Sequence, residues 1–340
     1  MDKKLKVAVV GLKVGKLHLS DYKDNGDIGE ICICTRNKDT LNEVGDEFSV
    51  EKRYTDVDEL LSKEDLDAIS ITTPNETHFS LVLKALKKEV NVLVEKPFTV
   101  NAKQAEILKN YADSHHKVVM INYNKRYERA VYSLKRRIDS GEFGKINRID
   151  VKWMRKRGIP WWFPLEDGKK HIGGGPVIDL GVHIIDVAMF LANDFEPKYI
   201  TANSAYGIGA SLAESRNITN YNVEDTGAAF IVLKNGTVIS VETSWAYNGD
   251  KDVFEISVFG QNKSAKICDE GNFVFRPNGE DVEKTELVLE NDVPNVRKLF
   301  IDAVLRKIEP QCTPKEGLAT MKIIDAFYKS AERRKPVKIK

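Results

Sequence analysis

Short apolar runs alternate with helical patterns through the first third of the chain, and this alternation constrains the fold more than any other feature. Apolar, β-branched runs predict strands at 5–10, 31–34, 68–72, 90–94 and 118–121, separated by helices at about 14–23, 76–88 and 102–114. Asn101, with Gln104 three residues later, predicts the start of the last helix. Strands that alternate with helices form βαβ units, whose sheets are parallel and buried on both faces. We therefore predict an α/β fold in which residues 1–122 form a doubly wound parallel sheet.

The pattern changes after about Asn122, where longer runs of alternating apolar and polar residues begin. These runs predict strands that pair antiparallel at 146–154, 230–233, 238–245 and 254–259. Asn235 and Gly236 predict a two-residue hairpin turn, because both residue types tolerate positive φ. Amphipathic patterns predict helices at 177–191 and 315–333. We assign residues 123–340 to a second, α+β domain with a mostly antiparallel open sheet, and we expect its last helix to pack back on the first domain.

Charge and composition limit the classes of partner. Lys and Arg number 52 against 51 Asp and Glu, a formal net charge of +1. Nucleic-acid binding needs a basic surface that neutralises phosphates, so this balance argues against it. No stretch reaches the about 18 apolar residues of a membrane helix, and the apolar run near the start is too short for a secretion signal. With only four cysteines, we expect a soluble cytoplasmic protein with free thiols and no membrane partner.

A glycine-containing turn, Gly11-Leu12-Lys13-Val14-Gly15, follows the first predicted strand. Such a turn lets backbone amides at a helix N-terminus approach a pyrophosphate. The full dinucleotide fingerprint has a middle glycine where this chain has Lys13, and counted back from Gly15 the loop is one residue short. An ordinary tight turn is the alternative. The position after the first strand of a doubly wound domain favours nucleotide binding, with Lys13 placed to contact phosphate.

The residues after the second predicted strand bear on the type of cofactor. A carboxylate there would bind the ribose hydroxyls of NAD and repel the 2'-phosphate of NADP. This chain has Thr35 and Arg36 instead, which are donors suited to a phosphate monoester. We therefore prefer NADP as the cofactor and keep NAD as the alternative. A solvated Arg36 at the start of a loop would favour neither.

Two further segments stand at the ends of first-domain strands, where ligands bind in open parallel sheets. They are Thr73-Pro74-Asn75, with His78 in the helix that follows, and Glu95-Lys96-Pro97. The residues expected to line the cofactor site are Thr73, Pro74, Asn75, His78, Glu95 and Lys96. A lysine at a strand exit can also donate to a substrate oxygen. A surface lysine is the alternative reading.

The second domain carries a glycine run, Gly173–Gly175, followed by Asp179, His183 and Asp186. These three polar residues stand at i, i+4 and i+7, on one face of the predicted helix. A histidine oriented by a carboxylate is suited to general acid/base chemistry, because its pKa lies near neutrality. The alternative is a helix cap and a hydrogen-bonded core histidine. Two carboxylates and one histidine without a second cluster do not favour a metal site, and we expect no metal.

An aromatic and basic cluster stands just before the glycine run. Its members are Trp153, Arg155, Arg157, Trp161, Trp162 and Phe163. Aromatic faces stack on sugar CH surfaces, and arginine offers planar donors to hydroxyls or a carboxylate. The cluster is equally typical of a domain-interface core.

Together these motifs resemble the glucose-fructose oxidoreductase, inositol dehydrogenase and rhizopine-catabolism (Gfo/Idh/MocA) oxidoreductases over nearly the whole chain. The resemblance rests on Gly11, Gly15 and His18, Thr73-Pro74-Asn75 with His78, Glu95-Lys96-Pro97, Arg126, and Gly173–Gly175 with Asp179, Gly181 and His183. It implies an N-terminal Rossmann domain, a C-terminal domain built on a mostly antiparallel sheet, and a nicotinamide cofactor. By the same resemblance, Lys96, Asp179 and His183 line the reaction site.

The resemblance implies reversible hydride transfer between NADP or NAD and a carbinol carbon of a sugar, polyol or related cyclic alcohol. His183 would accept the hydroxyl proton, Asp179 would orient its imidazole, and Lys96 would bind the reacting oxygen, or Lys96 and His183 would exchange roles. We expect Arg126, Arg157 and Trp162 to bind substrate beside Asp179 and His183. A non-catalytic nucleotide-sensing regulator and a reductase of a non-sugar carbonyl compound are the alternatives. The open sheet face implies a homodimer or homotetramer.

Overall fold

The computed structural model describes residues 4–161 and 165–340, and its contacts divide the chain into two units. Unit 1 comprises Met1–Tyr123 and Pro294–Leu318, and unit 2 comprises Asn124–Val293 and Ala319–Lys340. The segment Pro294–Leu318, which the sequence analysis assigned to the second domain, therefore groups with the first unit. Within the described residues, no helix is both long and apolar enough to cross a membrane.

Unit 1 is built on a six-stranded parallel sheet. Its strands are β1 Leu5–Val10, β2 Ile28–Cys34, β3 Lys52–Tyr54, β4 Ala68–Ile71, β5 Asn91–Val94 and β6 Val119–Ile121. They lie in the order β3-β2-β1-β4-β5-β6. Strands β2 and β3 are added on one side of β1, and β4, β5 and β6 are added on its other side, so the strand order reverses between β1 and β4. Open α/β sheets bind ligands in the crevice at the carboxyl ends of the two strands at such a point. This sheet confirms the predicted doubly wound α/β fold.

Helices connect the strands of unit 1. They are α1 Gly15–Lys23, α2 Lys38–Glu47, α3 Val57–Lys63, α4 Asn75–Lys87 and α5 Ala102–Ser114. The side chain of Asn101 accepts a hydrogen bond of 3.0 Å from the Gln104 amide, so the predicted N-cap of α5 is confirmed. β3, α2 and α3 are short and mostly polar, and the sequence pattern did not predict them.

Unit 2 is built on a nine-stranded sheet that is mixed but mostly antiparallel. Its strands are β7 Ile146–Met154, β8 Pro197–Ala205, β9 Thr226–Leu233, β10 Val238–Ser244, β11 Val253–Gly260, β12 Ser264–Cys268, β13 Gly271–Asn278, β14 Asp281–Glu286 and β15 Val337–Lys338. They lie in the order β14-β13-β12-β11-β7-β10-β9-β8-β15. The mostly antiparallel sheet confirms the expected α+β domain.

Two details of this sheet differ from the prediction. β10 runs parallel to β7, an orientation that the long connection between the two strands permits and a tight hairpin would not. The β9–β10 hairpin has a three-residue loop, closed by a bond of 2.9 Å from the Leu233 amide to the Thr237 carbonyl. Only Gly236 in this loop has positive φ, at 92°, while the Asn235 side chain accepts a hydrogen bond of 2.8 Å from the Thr237 amide. The predicted two-residue turn is therefore wrong.

The helices of unit 2 include one that is buried on nearly all sides. They are α6 Arg129–Asp139, α7 Gly168–His171, α8 Val182–Ala192 and α9 Ile208–Glu214. A π-helical turn, Val177–Gly181, leads directly into α8. The predicted helix at 177–191 is thus a π turn followed by an α-helix. All residues of α8 except Phe190 are buried, so it forms the centre of the unit's core.

Two C-terminal helices complete the chain, α10 Val296–Val304 and α11 Pro314–Arg333. α10 is tied into unit 1, where Asn295 donates to Asp21 over 2.9 Å and Arg297 forms an ion pair with the same carboxylate. The Ile121 amide also donates to the Cys312 carbonyl over 2.9 Å. These bonds explain why Pro294–Leu318 groups with the first unit. The division between the units falls within α11.

Candidate active site

The glycine turn after β1 is held against the end of β4. Gly11 has a φ of +87°, and a Cβ there would stand 2.7 Å from the Thr72 carbonyl oxygen, so only glycine fits. A Cβ on Gly15, the first residue of α1, would stand 2.9 Å from the Thr72 hydroxyl. The two glycines therefore bring the turn and the start of α1 into close contact with β4.

The amino end of α1 follows directly from this turn. Val14 occupies the N-cap position without a side-chain bond to the helix, and the first turn of α1 contains no acidic residue. Lys13 and Val14 are both exposed. A helix N-terminus carries partial positive charge. The arrangement can therefore accept an anion, with the Lys13 ammonium beside it.

The end of β2 offers donors. Thr35 is half-buried and its amide bonds to the Tyr54 carbonyl over 3.1 Å, whereas Arg36 is exposed. Asn37 caps α2 by accepting from the Thr40 amide over 2.8 Å. Residues 35–38 contain no carboxylate. This edge of the sheet is therefore suited to a negatively charged group.

The segment Thr73-Pro74-Asn75 starts α4 at the end of β4. The Thr77 hydroxyl donates to the Pro74 carbonyl over 2.7 Å and so accepts from the Thr73 hydroxyl over 2.6 Å. His78, which was predicted to line the cofactor site, is buried instead. Its ring nitrogens lie 2.8 Å from the carbonyl oxygens of Thr73 and of Pro97.

Burial lowers the pKa of His78 and outweighs the effect of the two carbonyls. A neutral imidazole carries one N–H, so it donates to one of them. His78 lies between the turn after β4 and the loop after β5, and its place in the cofactor site stays a prediction. A direct cofactor contact does not follow from this placement.

Glu95 and Lys96 follow β5. The Glu95 carboxylate is turned inward, 3.1 Å from His18 Nε2, and accepts from the Asn122 side-chain amide over 2.5 Å. Lys96 is half-buried, and its peptide bond to Pro97 is cis. Asn122 was not predicted as a partner of Glu95, because no local pattern joins residues at the ends of two different strands.

The glycine run of unit 2 packs against Glu224 and Tyr328. A Cβ on Gly174 would overlap the Tyr328 hydroxyl, and one on Gly175 would overlap the Glu224 carbonyl. The Glu224 carboxylate accepts from the amides of Gly175 and Val177 at 3.1 Å and from the Tyr328 hydroxyl at 2.9 Å. Glu224 thereby caps the helical segment that carries Asp179. No sequence signal pointed to Glu224, which lies far from the run along the chain.

Asp179 and His183 stand on either side of the junction between the π turn and α8. Asp179 accepts from the Trp245 indole N–H over 2.9 Å and is 8% exposed. His183 is 7% exposed, and its ring centroid lies 5.7 Å from that of Trp153. Trp245, which the sequence analysis did not single out, is fully buried and fixes the Asp179 carboxylate.

Trp153 forms an aromatic wall beside His183. The Phe254 ring meets it edge-on at 5.5 Å, and the Lys125 ammonium lies 4.8 Å from its centroid. The Arg155 guanidinium lies 5.3 Å from the same ring. The wall therefore combines an aromatic face with two cations, of which Lys125 was not predicted.

Arg126 and Asp186 form a buried, bidentate ion pair. Arg126 is 1% exposed, and its Nε and Nη2 donate to the two Asp186 oxygens at 2.7 and 2.6 Å. The guanidinium is thus engaged within unit 2, and the substrate contact of Arg126 stays a prediction.

Arg157 lines a cavity of about 490 Å³ in unit 2. The other lining residues are Ile159, Trp161, Leu212, Ser215 and Arg216. The Arg157 guanidinium donates to the Lys156 and Tyr247 carbonyls at 2.7 and 2.8 Å, and Arg216 stacks 4.4 Å from the Trp161 ring centroid. Trp162 and Phe163 lie outside the described residues. Across 4–161 and 165–340, no cluster of His, Cys, Asp and Glu could hold a metal ion.

Two family models match this chain. The model described as "Oxidoreductase family, NAD-binding Rossmann fold" matches residues 5–123. The model described as "Oxidoreductase family, C-terminal alpha/beta domain" matches residues 135–339. The two matches therefore cover most of the chain and correspond to the two kinds of sheet described above.

Similar proteins extend the comparison. A D-glucoside 3-dehydrogenase of Escherichia coli is 25% identical over 337 residues, 96% of this chain and 95% of the relative. A scyllo-inositol 2-dehydrogenase (NAD(+)) of Bacillus subtilis is 28% identical over 247 residues, 72% and 68% of the two chains. The solved structure of a levoglucosan dehydrogenase in complex with NADH and levoglucosan has a TM-score of 0.85, at 19% identity, over 99% of this chain and 100% of that one. This last likeness concerns the fold.

Proposed function

The chain belongs to the Gfo/Idh/MocA family of oxidoreductases, and we propose that it transfers a hydride between NADP(H) and a carbinol carbon of a sugar, polyol or related cyclic alcohol. The family and its named dehydrogenase relatives make it a sugar or polyol oxidoreductase with an NAD-binding Rossmann domain. The proposal rests on where four residues lie along the parallel sheet of unit 1. Arg36, Gly11, Thr73 and Lys96 follow the carboxyl ends of the adjacent strands β2, β1, β4 and β5.

The residues of unit 1 fit a nicotinamide dinucleotide. The Gly11–Gly15 turn allows close approach to the backbone, and the amino end of α1 is free of acidic residues, as a pyrophosphate requires. We propose that Gly11, Val14 and Gly15 hold the pyrophosphate through backbone contacts and that Lys13 adds a charge. Thr73, Pro74 and Asn75 would lie along the nicotinamide half.

The preference for NADP rests on Thr35 and Arg36. Their side chains are donors at the edge where the ribose of the adenosine half binds in such sheets, and residues 35–38 contain no carboxylate that would repel a 2'-phosphate. Arginine binds phosphate through a planar fork of donors. NAD remains the alternative cofactor.

The nicotinamide supplies or accepts the hydride, and the protein handles the hydroxyl proton. In the oxidation direction, His183 would take this proton as general base. Asp179, held by the Trp245 indole, would stabilise the charged imidazole. Lys96 would bind the reacting oxygen, although Lys96 and His183 could exchange these roles.

We propose that residues of unit 2 form the wall of the substrate site. The exposed part of Trp153, beside His183, offers an aromatic face to sugar CH groups, and Lys125 and Arg155 offer cations to hydroxyls or an acidic group. Arg157 would contribute from the neighbouring cavity with Trp161 and Arg216. Trp162 stays a predicted substrate residue.

Steady-state kinetics of Lys96→Met and His183→Ala test the mechanism. A panel of sugars and polyols is screened first for NADPH or NADH formation, and we expect kcat of each variant to fall by about a hundredfold or more. The exposed Lys84→Met and His115→Ala variants are matched controls and should retain wild-type kcat. Near-wild-type kcat in both test variants would remove these residues from the mechanism. Tight cofactor binding without turnover on any substrate would favour a regulator instead.

We also propose that the protein assembles as a homodimer or homotetramer through one face of the nine-stranded sheet. Tyr199, Phe230 and Phe259 share this face by register and are 47%, 56% and 39% exposed. Light scattering coupled to size exclusion measures the mass in solution. A monomeric wild-type protein would contradict the proposal, and Phe230→Glu should lower the mass of an oligomer.

A further inference from the structure

A chain of buried polar side chains runs through unit 1 beneath the end of β5. Its members, in order of contact, are Tyr22, Ser70, His18, Glu95 and Asn122. All except Glu95 are at most 2% exposed, and the Glu95 side chain is 14% exposed. A polar chain this deep is costly unless its groups satisfy one another.

The hydrogen bonds of this chain have a single consistent direction. An ionised Glu95 only accepts, so His18 Nε2–H donates to it over 3.1 Å. In that tautomer Nδ1 accepts, and the Ser70 hydroxyl donates to it over 3.1 Å. The Tyr22 hydroxyl then donates to Ser70 over 2.6 Å. Both ring nitrogens of His18 are therefore engaged, and Nε2 holds the Glu95 carboxylate.

Glu95 is ionised in this setting. Burial opposes its ionisation. The hydrogen bond and charge interaction with His18, the hydrogen bond from Asn122 and the charge of Lys96 together outweigh burial and hold the pKa of Glu95 below its usual range. The groups that face it come from several elements: His18 from α1, Asn122 after β6, Lys96 beside it, and His78 from α4, which feels its charge. Removing a donor to the charged form would raise the pKa of Glu95.

Lys96 is bracketed by these contacts. The residue before it is anchored through its carboxylate to His18 and Asn122, and the carbonyl oxygen of the residue after it, Pro97, lies 2.8 Å from the buried His78 Nδ1. The backbone on both sides of Lys96 is thus fixed to the interior by buried groups that do not depend on a ligand. Preorganisation of this kind is what a reacting group needs, since a displacement of about 1 Å can cost about a hundredfold in rate.

We propose that His18 is a positioning residue for Lys96 and that it acts through the Glu95 carboxylate. The inference rests on the proposed function of Lys96 in binding the reacting oxygen. It assigns Glu95 a role in the protein interior in place of the cofactor contact predicted from the sequence. It also gives a role to His18, which the sequence analysis named only as one residue of the family motif.

Two substitutions of His18 separate positioning from a merely structural role. The amide nitrogen of glutamine reaches about as far as Nε2, so His18→Gln keeps a donor for Glu95 and loses the bond to Ser70. Asparagine is shorter and places its amide near Nδ1, so His18→Asn keeps the Ser70 side and loses the donor to Glu95. Tyr22→Phe removes the far end of the chain and is the matched control. Melting temperatures of all three show whether they fold.

The first readout is the titration of Glu95 in the cofactor-free protein, by ¹³C NMR of labelled glutamate carboxyls with the Glu95 signal identified from Glu95→Gln. In His18→Asn we expect the Glu95 midpoint to rise by about one pH unit. His18→Gln and Tyr22→Phe should stay near wild type. An unmoved midpoint in a folded His18→Asn protein would overturn the inference whatever the substrate proves to be.

The second readout is the pH profile of kcat. Because Glu95 must be ionised, a raised pKa moves the acid limb to higher pH, and at neutral pH we expect His18→Asn to lose about tenfold or more in kcat with an unchanged Kd for the cofactor. His18→Gln should recover most of this loss. Equal losses and equal pH profiles in the two variants would mean a structural role only. Absence of turnover in the wild type would instead count against the proposed function, and the Glu95 titration would remain as a separate result.

Discussion

The Arg126 guanidinium and the Asp186 carboxylate form an ion pair in unit 2 in which neither side chain is more than 2% exposed. The pair is bidentate, and the rings of Phe190 and Phe195 each lie 5.0 Å from the guanidinium carbon. A buried pair is not in itself strong evidence for stability, but removing one partner leaves an uncompensated charge. The pair therefore makes unit 2 sensitive to single substitutions at either position.

We expect Asp186→Ala to lower the free energy of unfolding by about 3–5 kcal/mol, because Arg126 would stay buried and unpaired. The double variant Arg126→Met/Asp186→Leu should lose much less. All four tryptophans belong to unit 2, so tryptophan fluorescence during urea unfolding follows this unit. Glu283→Gln, which breaks the exposed pair with Arg276 on the same sheet, is the control and should cost about 0–1 kcal/mol. A double variant as unstable as Asp186→Ala would contradict the argument.

Arg36 should decide how well the 2'-phosphate is bound. We expect Arg36→Ala to raise the Kd of NADPH by about tenfold or more, the usual worth of a charge-assisted hydrogen bond, and to change the Kd of NADH little. Fluorescence titration of the reduced cofactors measures both constants. The exposed Lys87→Ala variant controls for the loss of a surface charge. An equal change for the two cofactors would show that Arg36 does not contact the phosphate.

Glu64 should stabilise unit 1 in a pH-dependent way. Burial alone would raise the pKa of Glu64, but hydrogen bonds from Lys52, Tyr54 and Lys6 outweigh it and bring the pKa to about 2 from the usual 4.5. Since the pKa is lowered in the folded protein, this contribution is complete above pH 4.5 and is lost as the pH falls towards 2. Circular dichroism of urea unfolding at several pH values should show a shallower acid loss in Glu64→Gln. Glu59→Gln, on the exposed side of α3, should keep the wild-type slope.

The cysteines should differ sharply in reactivity. Burial raises the pKa of the Cys32 and Cys34 thiols to about 12, and Cys312 is fully buried. Cys268 is the partly exposed thiol among the four. Because the thiolate is the reactive form, we expect a disulfide reagent to modify Cys268 first in the native protein and the other three only on unfolding. Fast labelling that persists in Cys268→Ser would contradict this order.

Prediction from the sequence succeeded where a local pattern carries the information. α5 begins as predicted because Asn101 caps it, and β7 has its predicted bounds, with buried Ile149 and Val151 alternating with more polar neighbours. It failed where partners are distant in sequence. The Asp179–Trp245 and Val177–Glu224 bonds join residues 66 and 47 positions apart, and no period or spacing records such contacts.

The same limit applies to individual side chains of the site. The ends of strands were predictable, and with them the positions of Gly11, Arg36 and Lys96. What each side chain bonds to was not: Arg126 and His78 carry types suited to ligands, yet their donors are used within the protein. A residue type sets what chemistry is possible, while burial and partners decide whether it is available.

The parallel pairing of β7 with β10 has a consequence for how the protein acquires its structure. β7 lies between β10 and β11, both of which come much later in the chain, so it has no neighbour in the sheet until those strands have been synthesised. Closing so long a loop carries an entropic cost that local contacts do not repay, and such topologies fold slowly. The middle of the nine-stranded sheet should therefore be among the last parts to gain protection from hydrogen exchange, after the β9–β10 and β11–β12 hairpins at its flanks.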